Sequence, residues 1–205
     1  MISKVIHYCW FGHGEKPEQA IKCIESWKRV MPDYKLKEWN EDNFNIESNL
    51  YVKQAYESKK FAFVTDYVRL YALYTEGGVY MDTDVETLKP YDPFLKHHAV
   101  SGFETDGNVP TGMMAAEKGS IWAKELLEGY ANRSFIKKDG SFDMTTNTAV
   151  ITEYMLSKGL LLNIKIFLIC VLCILQNIFV LKITEQEKLN VQKKRYVFII
   201  LQVHG

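Results

Sequence analysis

The chain has 205 residues, and its 25 Lys+Arg balance its 25 Asp+Glu. Zero net charge argues against a general nucleic-acid binder, whose footprint is a basic excess. A hydrophobic content of 47%, with 13% aromatic residues, excludes a disordered chain, and the length suits one large domain rather than two.

Residues 4–11 (KVIHYCWF) begin apolar and end in aromatics before Gly12 and Gly14. The pattern predicts a buried strand feeding a glycine-containing loop. Pro17 suits a first helical turn, and Ala20, Ile21, Ile24, Trp27 and Met31 recur at helical spacing, so a helix is predicted over 17–31. Residues 34–39 alternate as a second strand. This β-α-β opening is the signature of an α/β layered domain. Residues 40–60 are polar, with short helical stretches. The segment 61–76 is a helix on its apolar face (Phe61, Val64, Val68, Tyr71, Ala72), and Gly77 ends it. A short buried strand at 78–81 runs into Asp82-Thr83-Asp84, with a brief extended continuation through Val85, Thr87 and Leu88. Further expected elements are a strand at 98–103, a glycine-containing strand or loop at 110–116, and helices at 118–131 and 147–158. No internal repeat is visible.

Two carboxylates one residue apart past a buried strand are the main chemical signal. Strand positions i and i+2 point the same way, so Asp82 and Asp84 are expected to converge. Their repulsion calls for a hard divalent cation on oxygen ligands. The plainer alternative is a solvated acidic turn, since a bare D-x-D is common. In the preceding helix Asp66 and Arg69 stand at i and i+3, on one face. They form either a simple ion pair or a pair of groups for sugar hydroxyls and phosphate.

The string T-D-Y-V-R-L-Y-A-L-Y-T-E-G-G-V-Y-M-D-T-D-V (65–85) resembles the signature of DXD-type glycosyltransferases. These include capsular-polysaccharide sugar transferases and outer-chain mannosyltransferases, with clostridial glucosylating toxins as remote relatives. V-I-H-Y-C-W-F-G (5–12), S-W-K-R-V-M-P-D-Y (26–34) and W-N-E-D-N (39–43) resemble further motifs of the family, in the same order. The resemblance covers about residues 1–160. It implies a Rossmann-like GT-A nucleotide-sugar-binding domain, a hexosyltransferase activity that retains anomeric configuration, a UDP- or GDP-linked donor, and manganese or magnesium. It implies a glycan or lipid-linked saccharide acceptor and no nucleic-acid partner. Trp10 would stack on the donor base, with core packing as the rival role. Asp66 and Arg69 would bind the donor sugar. Asp82 would contact ribose, sugar or metal, and Asp84 would ligate the metal, which neutralises the diphosphate leaving group. No residue stands out as a covalent nucleophile. A dehalogenase-type phosphohydrolase would also use Asp82-x-Asp84, but with the pair on the first strand.

The charge balance hides a break. Residues 1–159 carry a net −4 and residues 160–205 a net +4, and the latter contain no Asp, Pro or Trp. A domain over 1–159 and an atypical apolar, basic tail over 160–205 follow, leaving the C-terminal part of the fold incomplete. The apolar stretch 164–183 suggests a membrane anchor, and with it a non-catalytic membrane-associated protein. Its longest unbroken run, 166–175, is short of the roughly 20 residues a spanning helix needs. The alternative is a change of reading frame near 160–164. Back-translated and read from the third base, residues 174–188 can encode P-T-E-Y-F-C-P-K-D-Y-R-T-G-K and residues 195–205 can encode L-C-I-H-H-F-A-G-S-W. Both resemble C-terminal motifs of the family, in order. In the remote toxins a C-terminal serine and tryptophan lie near the metal, so their loss here implies impaired turnover. Cys9 and Cys23 read as buried thiols, and Cys170 and Cys173 lack partners for a zinc site. The N-terminus lacks a signal-peptide pattern, which suggests a cytoplasmic protein at the inner face of the membrane.

Overall fold

The computed structural model describes residues 1–103, 108–158, 180–182 and 195–201. Strand β1 (Val5–Cys9), helix α1 (Glu18–Val30) and strand β2 (Lys35–Trp39) form the opening unit. Helices α2 (Leu50–Glu57) and α3 (Phe61–Thr75) lead into β3 (Gly78–Met81) and β4 (Val85–Thr87). Then come β5 (Ala99–Phe103), β6 (Met113–Ala116), α4 (Ile121–Glu128) and α5 (Asn147–Ser157). Two strands fall within the segment 160–205: β7 (Val180–Lys182) and β8 (Arg195–Leu201). The sheet order is β2-β1-β3-β6-β5-β8-β7-β4. Strands β2, β1 and β3 are parallel. β6 lies antiparallel to β3 and β5, β8 antiparallel to β5, and β7 antiparallel to β4. This is the mixed α/β architecture expected.

Strand alternation divides the core between the two faces of the sheet. Ile6, Tyr8, Val79 and Met81 pack with Cys23, Ile24 and Trp27 of α1. Cys9, Tyr80, Met114 and Ala116 pack with α2, α3, α4 and α5. The helical face of α1 is rotated from its expected position: Ile21 is exposed and Cys23 is buried in its place. Leu88, expected in the continuation after the acidic pair, is also exposed. Helix α3 is apolar nearly all round because it is wedged between the sheet and α2 and α4.

The turn between α3 and β3 depends on Gly77 and Gly78, both at positive φ (68° and 118°). A Cβ on Gly78 would lie 2.6 Å from the Val5 carbonyl oxygen, so β3 approaches β1 only with glycine there. The Gly77 carbonyl accepts from His7 Nε2–H (2.8 Å), and the Trp39 indole N–H donates to His7 Nδ1 (3.1 Å). These partners fix His7 as the neutral Nε2–H tautomer.

Cys9 and Cys23 are buried free thiols, as expected. Cys170, Cys173 and most of the apolar stretch 164–183 lie outside the described residues. Among the described residues no helix is long and apolar enough to cross a membrane.

Candidate active site

The acidic pair sits where β3 gives out. The Asp82 N–H donates to the Gly112 carbonyl (2.8 Å), extending the β3–β6 ladder by one bond. The chain then turns, and the Val85 N–H donates to the Asp82 carbonyl (3.0 Å). Strand periodicity therefore does not place the two carboxylates, contrary to the i, i+2 expectation; a turn does. Two side chains of α1 fix the backbone of β4 beyond the turn. The Trp27 indole N–H donates to the Val85 carbonyl (2.7 Å), and Ser26 Oγ accepts the Thr87 N–H (2.9 Å).

Asp82 faces α3. Its Oδ1 accepts from the Tyr80 hydroxyl (2.8 Å) and lies 3.4 Å from Arg69 Nη2. The same Nη2 is 3.2 Å from Asp66 Oδ1. Arg69 Nη1 donates to the Thr111 carbonyl (2.6 Å), Nε to the Thr65 carbonyl (3.3 Å), and the guanidinium stacks 4.8 Å from the Tyr80 ring centroid. The i, i+3 pair is thus buried, with Asp66 8% and Arg69 5% exposed, and Arg69 is committed to protein partners. Between them the guanidinium holds two carboxylates in place.

Asp66 is completed from the far end of the chain. The Asn147 N–H, at the start of α5, donates to Asp66 Oδ2 (3.2 Å), and Asn147 Nδ2–H donates to the Asp66 carbonyl (2.9 Å). Asn147 Oδ1 accepts from the Tyr130 hydroxyl (3.3 Å). Burial pushes the Asp66 carboxyl above its ordinary pKa, against the pull of Arg69 and the Asn147 amide. Burial opposes the Arg69 charge, but Asp82, Tyr80 and Asp66 together hold its pKa above the ordinary value.

Asp84 is half-buried on the α1 side. Its charge adds to the burial that pushes the Cys23 thiol up to about 11. A cation at this turn would meet two carboxylates. Asp82 Oδ1 is engaged, and its Oδ2 borders Gly112, where a Cβ would come within 3.3 Å. Glycine keeps that side of the carboxylate clear. Two aspartates suit a hard cation such as magnesium or manganese, whose other ligands come from phosphate and water. Among the described residues no group of three His, Cys, Asp or Glu side chains forms a self-sufficient metal cage.

Trp10 follows β1 and is partly buried, with part of its side chain open to solvent. Its indole N–H donates to the Gly14 carbonyl (2.6 Å), and Lys16 Nζ lies 5.5 Å from its ring centroid. Sequence reasoning missed Tyr80, Thr111, Gly112 and Asn147. Only Tyr80 carried a local signal, two residues before Asp82 and on the same face of the strand.

Residues 17–101 match a family described as a glycosyltransferase sugar-binding region containing a DXD motif. The chain is 28% identical over 138 residues to inositol phosphoceramide mannosyltransferase 3 of Schizosaccharomyces pombe, across 65% of this chain and 38% of that protein. It is 24% identical over 186 residues to subversion of eukaryotic traffic protein A of Legionella pneumophila, across 74% of this chain and 28% of that protein. The chain therefore spans well under half the length of either relative. Its fold is similar to that of the PaToxG glycosyltransferase, with a TM-score of 0.57 at 17% identity, over 77% of this chain and 70% of that one.

Proposed function

We propose, for a chain whose residues 17–101 carry the sugar-binding region of the DXD-containing glycosyltransferases, the transfer of a hexosyl group from a nucleoside-diphosphate sugar to a glycan or lipid-linked saccharide. The donor is UDP- or GDP-linked, and transfer retains anomeric configuration. The observation that carries the reading is the turn at 82–84. There Asp82 is held by Arg69 and Tyr80 through one oxygen, while glycine keeps the side of the other clear.

In this reading Asp84 and Asp82 Oδ2 hold manganese or magnesium. Bound there, such a cation would supply Lewis-acid neutralisation of the diphosphate leaving group. Arg69 holds two neighbouring carboxylates in position, so the site is preorganised before the donor enters. Trp10 offers the ring face away from Lys16 to the donor base. The Asp66 carboxylate, fixed by Asn147, stands beside Asp82 on the sugar side. Mannosyl transfer, the activity for which the Schizosaccharomyces pombe relative is named, makes GDP-mannose the first donor to try and an inositol-bearing lipid the first acceptor. A phosphohydrolase would need Asp82 as its nucleophile on a first strand. Here Asp82 follows the third strand, with one oxygen already shared by two donors.

Calorimetric titration with GDP-mannose and UDP-hexoses, with and without manganese, tests the reading. Manganese-dependent binding that is lost in Asp84→Ala is expected. Absence of binding, or binding unchanged by that substitution, counts against it.

A further inference from the structure

The segment W-N-E-D-N (39–43) has no part in the acidic site, yet its side chains reach the loop that carries Trp10. Glu41 is the centre of these contacts. Its Oε1 accepts from the Gly12 N–H (2.6 Å) and from the Tyr56 hydroxyl of α2 (2.9 Å), and His13 Nε2 stands 3.8 Å away. One carboxylate oxygen thus ties together the loop after β1, the loop after β2 and a helix. The Glu41 side chain is only 14% exposed, so these contacts are shielded from solvent.

The loop it holds is under constraint. His13 adopts φ 56°, uncommon for a residue with a side chain. The Phe61 ring packs against Gly12 from α3, where a Cβ would come within 2.4 Å of it. The anchoring side is rigid: the Asn40 N–H donates to Asn43 Oδ1, and Asn43 Nδ2–H donates to the Glu38 carbonyl. A second carboxylate acts in parallel. Glu38 Oε2 pairs with Lys16 Nζ (2.8 Å), the ammonium that sits over the Trp10 ring.

We infer that Glu41 is a positioning residue for the donor base, fixing the Gly12–His13 backbone so that Trp10 presents one open ring face. This rests on the donor-site reading of the acidic turn and Trp10. Without Glu41 the Gly12 amide and the Tyr56 hydroxyl lose their acceptor, and the loop beyond the Trp10 N–H bond to the Trp39 carbonyl (2.9 Å) loses its tie to α2. Trp10 would then sample several orientations, and base binding would carry the ordering cost.

Trp10 reports on itself. The other three tryptophans, Trp27, Trp39 and Trp122, are buried, so acrylamide quenching of the free protein reads Trp10. The experiment compares wild type, Glu41→Ala, Glu41→Gln and Tyr56→Phe, with UDP and GDP as probes in the presence of manganese. Glu41→Ala is expected to raise quenching in the free protein and to weaken nucleotide binding about tenfold, the scale of a lost hydrogen bond to a charged group. Glu41→Gln keeps both acceptor contacts and restores both readouts. Should Glu41→Ala lower helicity, Tyr56→Phe decides: smaller shifts of the same sign support the inference, and none overturn it. Wild-type quenching and affinity in a folded Glu41→Ala overturn the inference alone. A wild type that binds neither nucleotide overturns the donor-site reading and the inference together.

Discussion

Arg69 sets the charge balance of the site. It is buried between two carboxylates, a tyrosine ring and two backbone carbonyls. Removing it leaves the buried Asp66 and the half-buried Asp82 without the guanidinium that lies between them. Arg69→Met is therefore expected to cost about 3–5 kcal/mol, measurable by urea unfolding. His7 makes a second residue-scale prediction. Burial lowers its pKa below the ordinary 6.5, so the unfolded chain takes up this proton at a higher pH than the folded one. The His7 contribution is complete above the unfolded value and is lost as pH falls through the depressed folded value. His7→Gln should flatten the dependence of unfolding free energy on pH as pH falls below the ordinary histidine value of 6.5. Half-buried His97 shifts the same way, so part of the slope remains. The Asp66/Arg69 pair was legible in the sequence because helical spacing alone brings the two side chains together. Asn147 and Thr111 were not, since they reach the site across 81 and 42 residues of chain.

At the scale of elements, α1 and the α3–β3 turn aim the chemistry. The helix fixes the run after Asp84 through Ser26 and Trp27, which ties the acidic turn to the first β-α-β unit. The turn brings β3 against β1 through Gly78. Alanine there would meet the Val5 carbonyl and hold an unfavourable φ. The backbone strain alone is about 1–3 kcal/mol, and thermal melting of Gly78→Ala should show at least that loss. Strands and helices were readable because hydrophobic period and glycine punctuation agreed along 1–101. The strand period does not carry through the acidic pair because Asp82 opens a turn that Val85 closes, and a turn escapes a period of two. Ile21 was misread: apolar identity suggested the buried face, but the sheet takes up Cys23.

Over the whole molecule, two apolar cores sandwich a sheet whose parallel edge comes from the first 81 residues. The frame change proposed near residues 160–164 belongs to this scale. A change of frame would shift charge, Asp, Pro and Trp content together, as they shift there. As the chain stands, β7 and β8 from that region pair with β4 and β5. Sequencing the gene across codons 155–170 and restoring the second frame is expected to raise donor turnover above that of the present chain. An intact frame, matched by the mass of the expressed protein, removes this explanation.

The link between Asp66 and Asn147 has a further consequence, in the order of assembly. The acidic turn, α3 and the first three strands are all synthesised before residue 90. Until α5 emerges, the Asp66 carboxylate lacks the amide that completes its environment. A nascent chain can therefore build the parallel sheet early and still hold an unfinished acidic site. Docking of α5 is the step that finishes it, which makes a late helix the checkpoint for an early motif.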